Sequence, residues 1–155
     1  MNELGEGILA PQFSLPRDGG GNVSLADLAG KIVVVYFYPK DDTSGCTVEA
    51  IDFTALTDEF AKAGAVIVGM SPDPVKAHDK FIAKHELGII LASDEDKSVL
   101  EAYGVWKEKS MYGRKYMGVE RSTFIVGSDG KIAKVWRKVK VPGHAQSVLE
   151  AVKAL

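Results

Sequence analysis

Cys46 is the only cysteine among 155 residues, so any sulfur chemistry of this chain must run through it. It ends the spaced set Pro39-x-x-x-Thr43-x-x-Cys46. Free cysteines are among the most buried residue types, and a lone one by itself reads as a small core hydrophobe. The neighbours of Cys46 reverse that reading. The apolar run of residues 31–38 ends at Pro39, and a helical period begins around residue 45, which places Cys46 just past the carboxyl end of a strand and in the first turn of a helix. Backbone N–H groups without intrahelical partners, together with the helix dipole, favour an anion there. A thiol so placed is favoured as the nucleophilic thiolate. Ligand sites in open α/β sheets also lie outside the carboxyl ends of strands.

Three further residues fit chemistry at that sulfur. Thr43 is the expected N-cap, with its hydroxyl near the sulfur. Pro39 fixes the chain where strand becomes loop and adds a dry wall. Arg121 opens a strand that chain order allows to lie beside the first. There its guanidinium would hold a thiolate and a polar oxygen substrate by charge-assisted hydrogen bonds, although a lone arginine at a strand end is usually solvated or in a surface ion pair. The histidines are weaker candidates. His78 and His85 are seven apart on a helix whose other periodic residues are apolar, and they read as satisfied, partly buried side chains. His144 begins the last helix and reads as structural, while leaving a Cys–His pair open.

These residues need a scaffold. Residues 31–38 are β-branched and aromatic on both faces, the pattern of a central strand covered on both sides. A helix follows to Gly64, then a buried strand over residues 65–70 and a helix begun by Asp73 as N-cap and Pro74 as first helical residue, running toward Gly88. Residues 89–92 form a short strand, and Ser93, Asp94, Glu95 and Asp96 cap a helix through about Tyr103. Residues 107–120 read as a long polar connection, the kind of loop that tends to be functional. Residues 122–127 and 131–137 are strands joined by Ser128-Asp129-Gly130, a hairpin signal, and a helix over residues 144–154 closes the chain. Gly19-Gly20-Gly21 reads as a turn with positive φ. Alternating units followed by a hairpin and a helix predict an α/β chain with a central mixed sheet flanked by helices on both faces, in the order of a thioredoxin-like fold.

Composition narrows the partners. Residues 1–155 are expected to form a single domain. Nineteen basic against twenty-one acidic residues give a charge of −2, so no global positive field exists for nucleic acid or an anionic membrane. The alternating basic residues Lys134, Lys138 and Lys140 around Trp136 read as a solvated strand face. One cysteine rules out an intrachain disulfide and a Cys-x-x-Cys pair, and the histidines are too scattered to suggest a metal. The longest apolar run falls far short of the ~18 residues of a membrane span. The start Met1-Asn2-Glu3-Leu4-Gly5-Glu6 does not read as a secretory signal, so a cytoplasmic location is expected. Gly5-x-Gly7-x-x-Ala10 follows no strand and is not read as a dinucleotide site, and no cofactor is expected.

The stretch Tyr36-Phe37-Tyr38-Pro39-Lys40-Asp41-Asp42-Thr43-Ser44-Gly45-Cys46-Thr47 resembles the active-site motif of the peroxiredoxins, in particular the peroxiredoxin Q (bacterioferritin comigratory protein) subfamily. Further matches lie at Lys107-Glu108-Lys109-Ser110-Met111-Tyr112-Gly113, Glu120-Arg121-Ser122-Thr123-Phe124 and Trp136-Arg137-Lys138-Val139-Lys140-Val141 with Gly143-His144, so the resemblance runs from Phe13 onward. It implies that Cys46 is the peroxidatic cysteine, Thr43 and Arg121 its activating partners, and Pro39 the shield of the pocket. Many relatives carry a resolving cysteine five residues after the peroxidatic one, where this chain has Ile51; others carry it on the following helix, near Ile82. Neither is available, so a one-cysteine peroxidase is expected, reducing hydrogen peroxide and organic hydroperoxides and regenerated by an external thiol: thioredoxin, glutaredoxin or glutathione. The resemblance favours a monomer, with a dimer as the other state. Two rival readings stand beside it. A cysteine hydrolase or transferase needs a histidine on the sulfur, whereas the peroxidase needs an arginine and a threonine; a non-catalytic redox sensor or holdase would oxidise without turnover.

Overall fold

The computed structural model describes residues 4–155. Of the amino-terminal segment read above, Met1, Asn2 and Glu3 lie outside the described residues. A five-stranded mixed sheet organises the chain in the order β5-β4-β3-β8-β9. Strand β3 (Ile32–Phe37) lies at its centre, parallel to β4 (Ala65–Ser71) and antiparallel to β8 (Ser122–Val126). Strand β5 (Ile90–Ser93) extends the parallel side and β9 (Ile132–Trp136) the antiparallel side. The continuous apolar run of β3 is explained by burial on both faces. This is the thioredoxin-like arrangement that the sequence predicts.

The two faces are covered differently. Val34, Tyr36, Ile67, Leu91 and Ile125 face α1 (Ser44–Ala55), α2 (Thr57–Lys62), α3 (Val75–His85) and α5 (His144–Lys153) through Phe53, Phe60, Phe81 and Leu149. Val33, Val35, Phe37, Met70 and Phe124 face α4 (Ser98–Ala102) together with a small hairpin, β1 (Ser14–Pro16) and β2 (Asn22–Ser24). Gly19, Gly20 and Gly21 turn that hairpin with φ of 76°, 100° and 73°, a conformation that side chains rarely adopt. On the four-helix face, a Cβ at Gly69 would stand 2.8 Å from the Tyr36 ring, so the bare backbone of β4 makes room for that aromatic. Among the described residues no helix is long and apolar enough to cross a membrane.

Several boundaries differ from the sequence reading. The helix expected to run to Gly64 is two helices, broken at Leu56, whose backbone turns back onto Phe53 and Thr54. Helix α3 starts one residue later than expected, with Pro74 rather than Asp73 at its cap, because the Asp73 carboxylate accepts from the Asp41 amide and the Ser71 hydroxyl instead. Its end is a left-handed Glu86, not Gly88. Ser93 belongs to β5, and α4 begins only at Ser98; Asp94 accepts from the Leu100 amide and Asp96 from that of Ser98. The polar connection over residues 107–120 is a β-hairpin, β6 (Trp106–Met111) with β7 (Arg114–Val119). Its turn, Tyr112-Gly113, has φ of 52° and 76°, positive at both central residues as in a type I′ turn.

Candidate active site

The carboxyl end of β3 leads through residues 38–43 into α1, and Cys46 is the third residue of that helix. It faces inward and is only 1% exposed. Register explains its main partner: β8 runs antiparallel beside β3, with Ser122 opposite Phe37, so Arg121 emerges at the end of β3 where α1 begins. One guanidinium nitrogen of Arg121 donates to Cys46 Sγ at 3.3 Å. The other donates to Glu49 Oε1 at 2.6 Å. A Cβ at Gly45 would come within 3.3 Å of the guanidinium, so glycine there leaves the arginine its place.

Glu49, one turn along α1 from Cys46, is the site residue that sequence reasoning missed. A glutamate inside a helix ordinarily reads as a solvent-facing residue; only the arrival of Arg121, 72 residues later, explains its burial to 1% exposure. Its Oε1 is paired, while Oε2 is buried without a partner. Burial pushes the carboxyl up to about 7, against the opposing pull of Arg121. The Tyr36 hydroxyl is also buried and unpartnered. Burial, then the nearby Glu49 and Cys46, hold that phenol well above its ordinary range. The surroundings of the sulfur thus hold two polar groups with hydrogen-bonding capacity unspent, a costly arrangement in a packed interior.

The other expected residues are placed as follows. Thr43 occupies the N-cap position with extended backbone, but its exposed hydroxyl donates to the Lys40 carbonyl at 2.8 Å and accepts from no helix amide. This corrects the expectation of a side-chain cap: the threonine fastens the loop to itself. Pro39 is half-buried at the end of β3. Ile51 is 44% exposed on α1, and Ile82 lies on α3.

The histidines have other work. His78, fully buried, donates from Nδ1 to Asp41 Oδ2 at 2.6 Å, and its Nε2 lies 3.0 Å from the Ala92 carbonyl, which can only accept. Tyr38 donates to the other Asp41 oxygen at 2.5 Å. Burial alone would lower the imidazole's pKa, but the Asp41 hydrogen bond and charge raise it overall. The next residue, Asp42, is left-handed and accepts from Lys84 at 2.7 Å and His85 at 2.9 Å. Two successive aspartates therefore tie the loop before Cys46 to α3. His144 Nε2 lies 2.7 Å from Thr123 Oγ1 between aromatic rings, and burial followed by the charge of Arg121 lowers it to about 4, so it is neutral near pH 7. The sulfur's hydrogen-bond partner is thus an arginine, while each histidine is engaged elsewhere, which disfavours the hydrolase reading. Among the described residues no three histidine, cysteine or carboxylate side chains gather as a metal site requires. Lys134 lies over the Trp136 ring, while Lys138 and Lys140 fall beyond the end of β9, so the basic stripe is not one strand face.

Comparison with known proteins gives a consistent result. The AhpC/TSA family model matches residues 7–135. The chain is 51% identical over 147 residues to Peroxiredoxin Bcp of Xanthomonas campestris, covering 94% of this chain and 92% of that protein. It is 49% identical over 152 residues to a putative peroxiredoxin bcp of Helicobacter pylori, covering 98% of this chain and 100% of the other. A solved structure of the Xanthomonas campestris bacterioferritin comigratory protein, obtained for insight into its alkyl peroxide reduction activity, superposes with a TM-score of 0.88 at 50% identity, over 92% of this chain and 90% of that one.

Proposed function

The chain belongs to the AhpC/TSA family and is a thiol-dependent peroxidase of the peroxiredoxin Bcp kind, and we propose that it reduces hydrogen peroxide and organic hydroperoxides at Cys46, in the cytoplasm. The observation that carries this reading is the contact of Arg121 with both Cys46 Sγ and Glu49. The guanidinium donates to the sulfur and presents donors to a peroxide oxygen. The thiolate attacks one oxygen, the O–O bond breaks, and the other oxygen leaves as hydroxide or alkoxide, to be protonated to water or an alcohol. Arg121 and the free amides of the first turn of α1 face the charge as it moves from sulfur to oxygen, where stabilisation lowers the barrier. Thr43 holds the loop that delivers the peroxide, and Pro39 shields the pocket.

The product is a sulfenic acid on Cys46. With no second cysteine in the sequence, it is reduced by an external thiol. The test is peroxide consumption in the presence of such a thiol, wild type against Cys46→Ser. Multiple turnovers, lost entirely in the variant, are expected. Slow stoichiometric oxidation at the rate of an ordinary thiol overturns the reading and leaves a sensor in its place.

A further inference from the structure

Next to Arg121, the β6–β7 hairpin and the segment after β9 border an open groove of about 680 Å³, in the size range of small-molecule sites. Arg121 forms part of its wall, so the groove reaches the residue that touches Cys46 Sγ. Its charge is lopsided: Lys107, Lys109, Lys138 and Arg121 face only Glu108 and Glu120. Those two carboxylates are already engaged, Glu120 by Lys107 at 3.5 Å and Glu108 by Lys115 at 3.8 Å. Lys109 and Lys138 form no ion pair among the described residues.

Lys109 is also held in place. A Cβ at Gly118 on the facing strand would stand 3.3 Å from its side chain, so the lysine stem lies over that glycine. The side chain is half-buried, and burial followed by the charge of Arg121 lowers its pKa. The half-exposed ring of Tyr116, opposite Lys109 across the hairpin, adds an apolar wall. A peroxide needs only the space around Sγ and Arg121. A concave cationic groove leading away from them is suited to a larger, anionic reactant.

Building on the peroxidase reading, we propose that this groove docks the reductant, and that the reductant is a low-molecular-weight thiol carrying carboxylates that pair with Lys109 and Lys138. The sulfur of the docked thiol attacks Cys46 Sγ as the S–O bond of the sulfenic acid breaks, and the hydroxyl leaves as water with the proton that the thiol gives up. A mixed disulfide remains. A second molecule of the same thiol attacks the outer sulfur, releasing the small disulfide and restoring Cys46. The two electrons supplied equal the two taken by the peroxide.

The experiment has two arms. In the first, Cys46 is oxidised with one equivalent of hydrogen peroxide, and the rate of sulfenic acid reduction is compared for glutathione and glutathione diethyl ester, each corrected for its intrinsic thiolate reactivity. Glutathione is expected to be faster by about fivefold, the scale of two partly screened ion pairs, with the gap closing in high salt and in the Lys109→Gln/Lys138→Gln double variant. In the second, S-methylglutathione, which cannot react, is titrated into the reduced protein; binding is expected, and is expected to weaken in the double variant. Equal corrected rates for the two thiols, or a preference the double variant leaves intact, overturn the groove, as does a reduction step in which thioredoxin is fast and small thiols show no carboxylate preference. Binding of S-methylglutathione to a protein in which peroxide forms no sulfenic acid overturns the peroxidase reading alone and supports the groove.

Discussion

Two buried charged clusters flank the start of α1, and they are finished to different degrees. On the α3 side, both ring nitrogens of His78 have partners, and both Asp41 oxygens accept hydrogen bonds. On the β8 side, Arg121 bridges Cys46 and Glu49, but Glu49 Oε2 and the Tyr36 hydroxyl are left without partners. A saturated buried network fixes a geometry. Of the two unpartnered groups, the Tyr36 hydroxyl has a donor in reserve for negative charge that develops during a reaction, whereas an ionised Glu49 oxygen can only accept. The loop is therefore clamped on one side so that the sulfur can react on the other.

That division makes separable predictions. The largest effect on stability is expected at the clamp. His78→Ala leaves Asp41 buried and short of a partner, and unfolding in urea should show a loss of about 3 kcal/mol, the scale of breaking a buried pair. The folded-state pKa of His78 is raised, so its contribution is complete below the unfolded value of about 6.5 and fades as pH rises through the folded value. The difference between wild type and variant should accordingly be greatest in mild acid and shrink toward alkaline pH; a difference that grows with pH contradicts the assignment.

Glu49→Gln comes next, with a peroxide rate lower by about tenfold, the effect of loosening one charge-assisted hydrogen bond on Arg121. Its pH signature is separate. With the carboxyl at about 7 in the fold and 4.5 in the reference state, the native state holds a proton that the unfolded chain has released, so wild type loses stability as pH rises across that interval. The glutamine variant should lack that slope in a series of unfolding curves. Asp42→Asn is expected to have the smallest effect, a barely shifted melting temperature that becomes indistinguishable from wild type in high salt, because Asp42 and Lys84 are exposed and only His85 is half-buried.

How much of this was readable beforehand depended on the range of the interactions. Strand β3, its parallel neighbour β4, the Asp129-Gly130 turn and the placement of Cys46 in a first helical turn all follow from local pattern. The β6–β7 hairpin is hidden because its strands mix polar and apolar residues without alternation and stand apart from the main sheet, with most of their side chains exposed. The carboxylate of Asp73 looked like a cap until the Asp41 amide, 32 residues earlier, claimed it. Arg121 was visible as a candidate through its position before a strand, whereas Glu49 gave no signal, since burial by a distant partner leaves no local trace.

The central claim is that peroxide chemistry depends on the arginine cluster and only indirectly on the histidine clamp. It is tested most directly by stopped-flow measurement of Cys46 oxidation by hydrogen peroxide in Arg121→Ala and His78→Gln, at one pH where both variants are folded. Arg121→Ala should be slower by roughly 100-fold, the scale of removing one preorganised donor from a developing oxyanion, with His78→Gln within a few-fold of wild type. Equal rates in Arg121→Ala and wild type, or an equal loss in both variants, would contradict it.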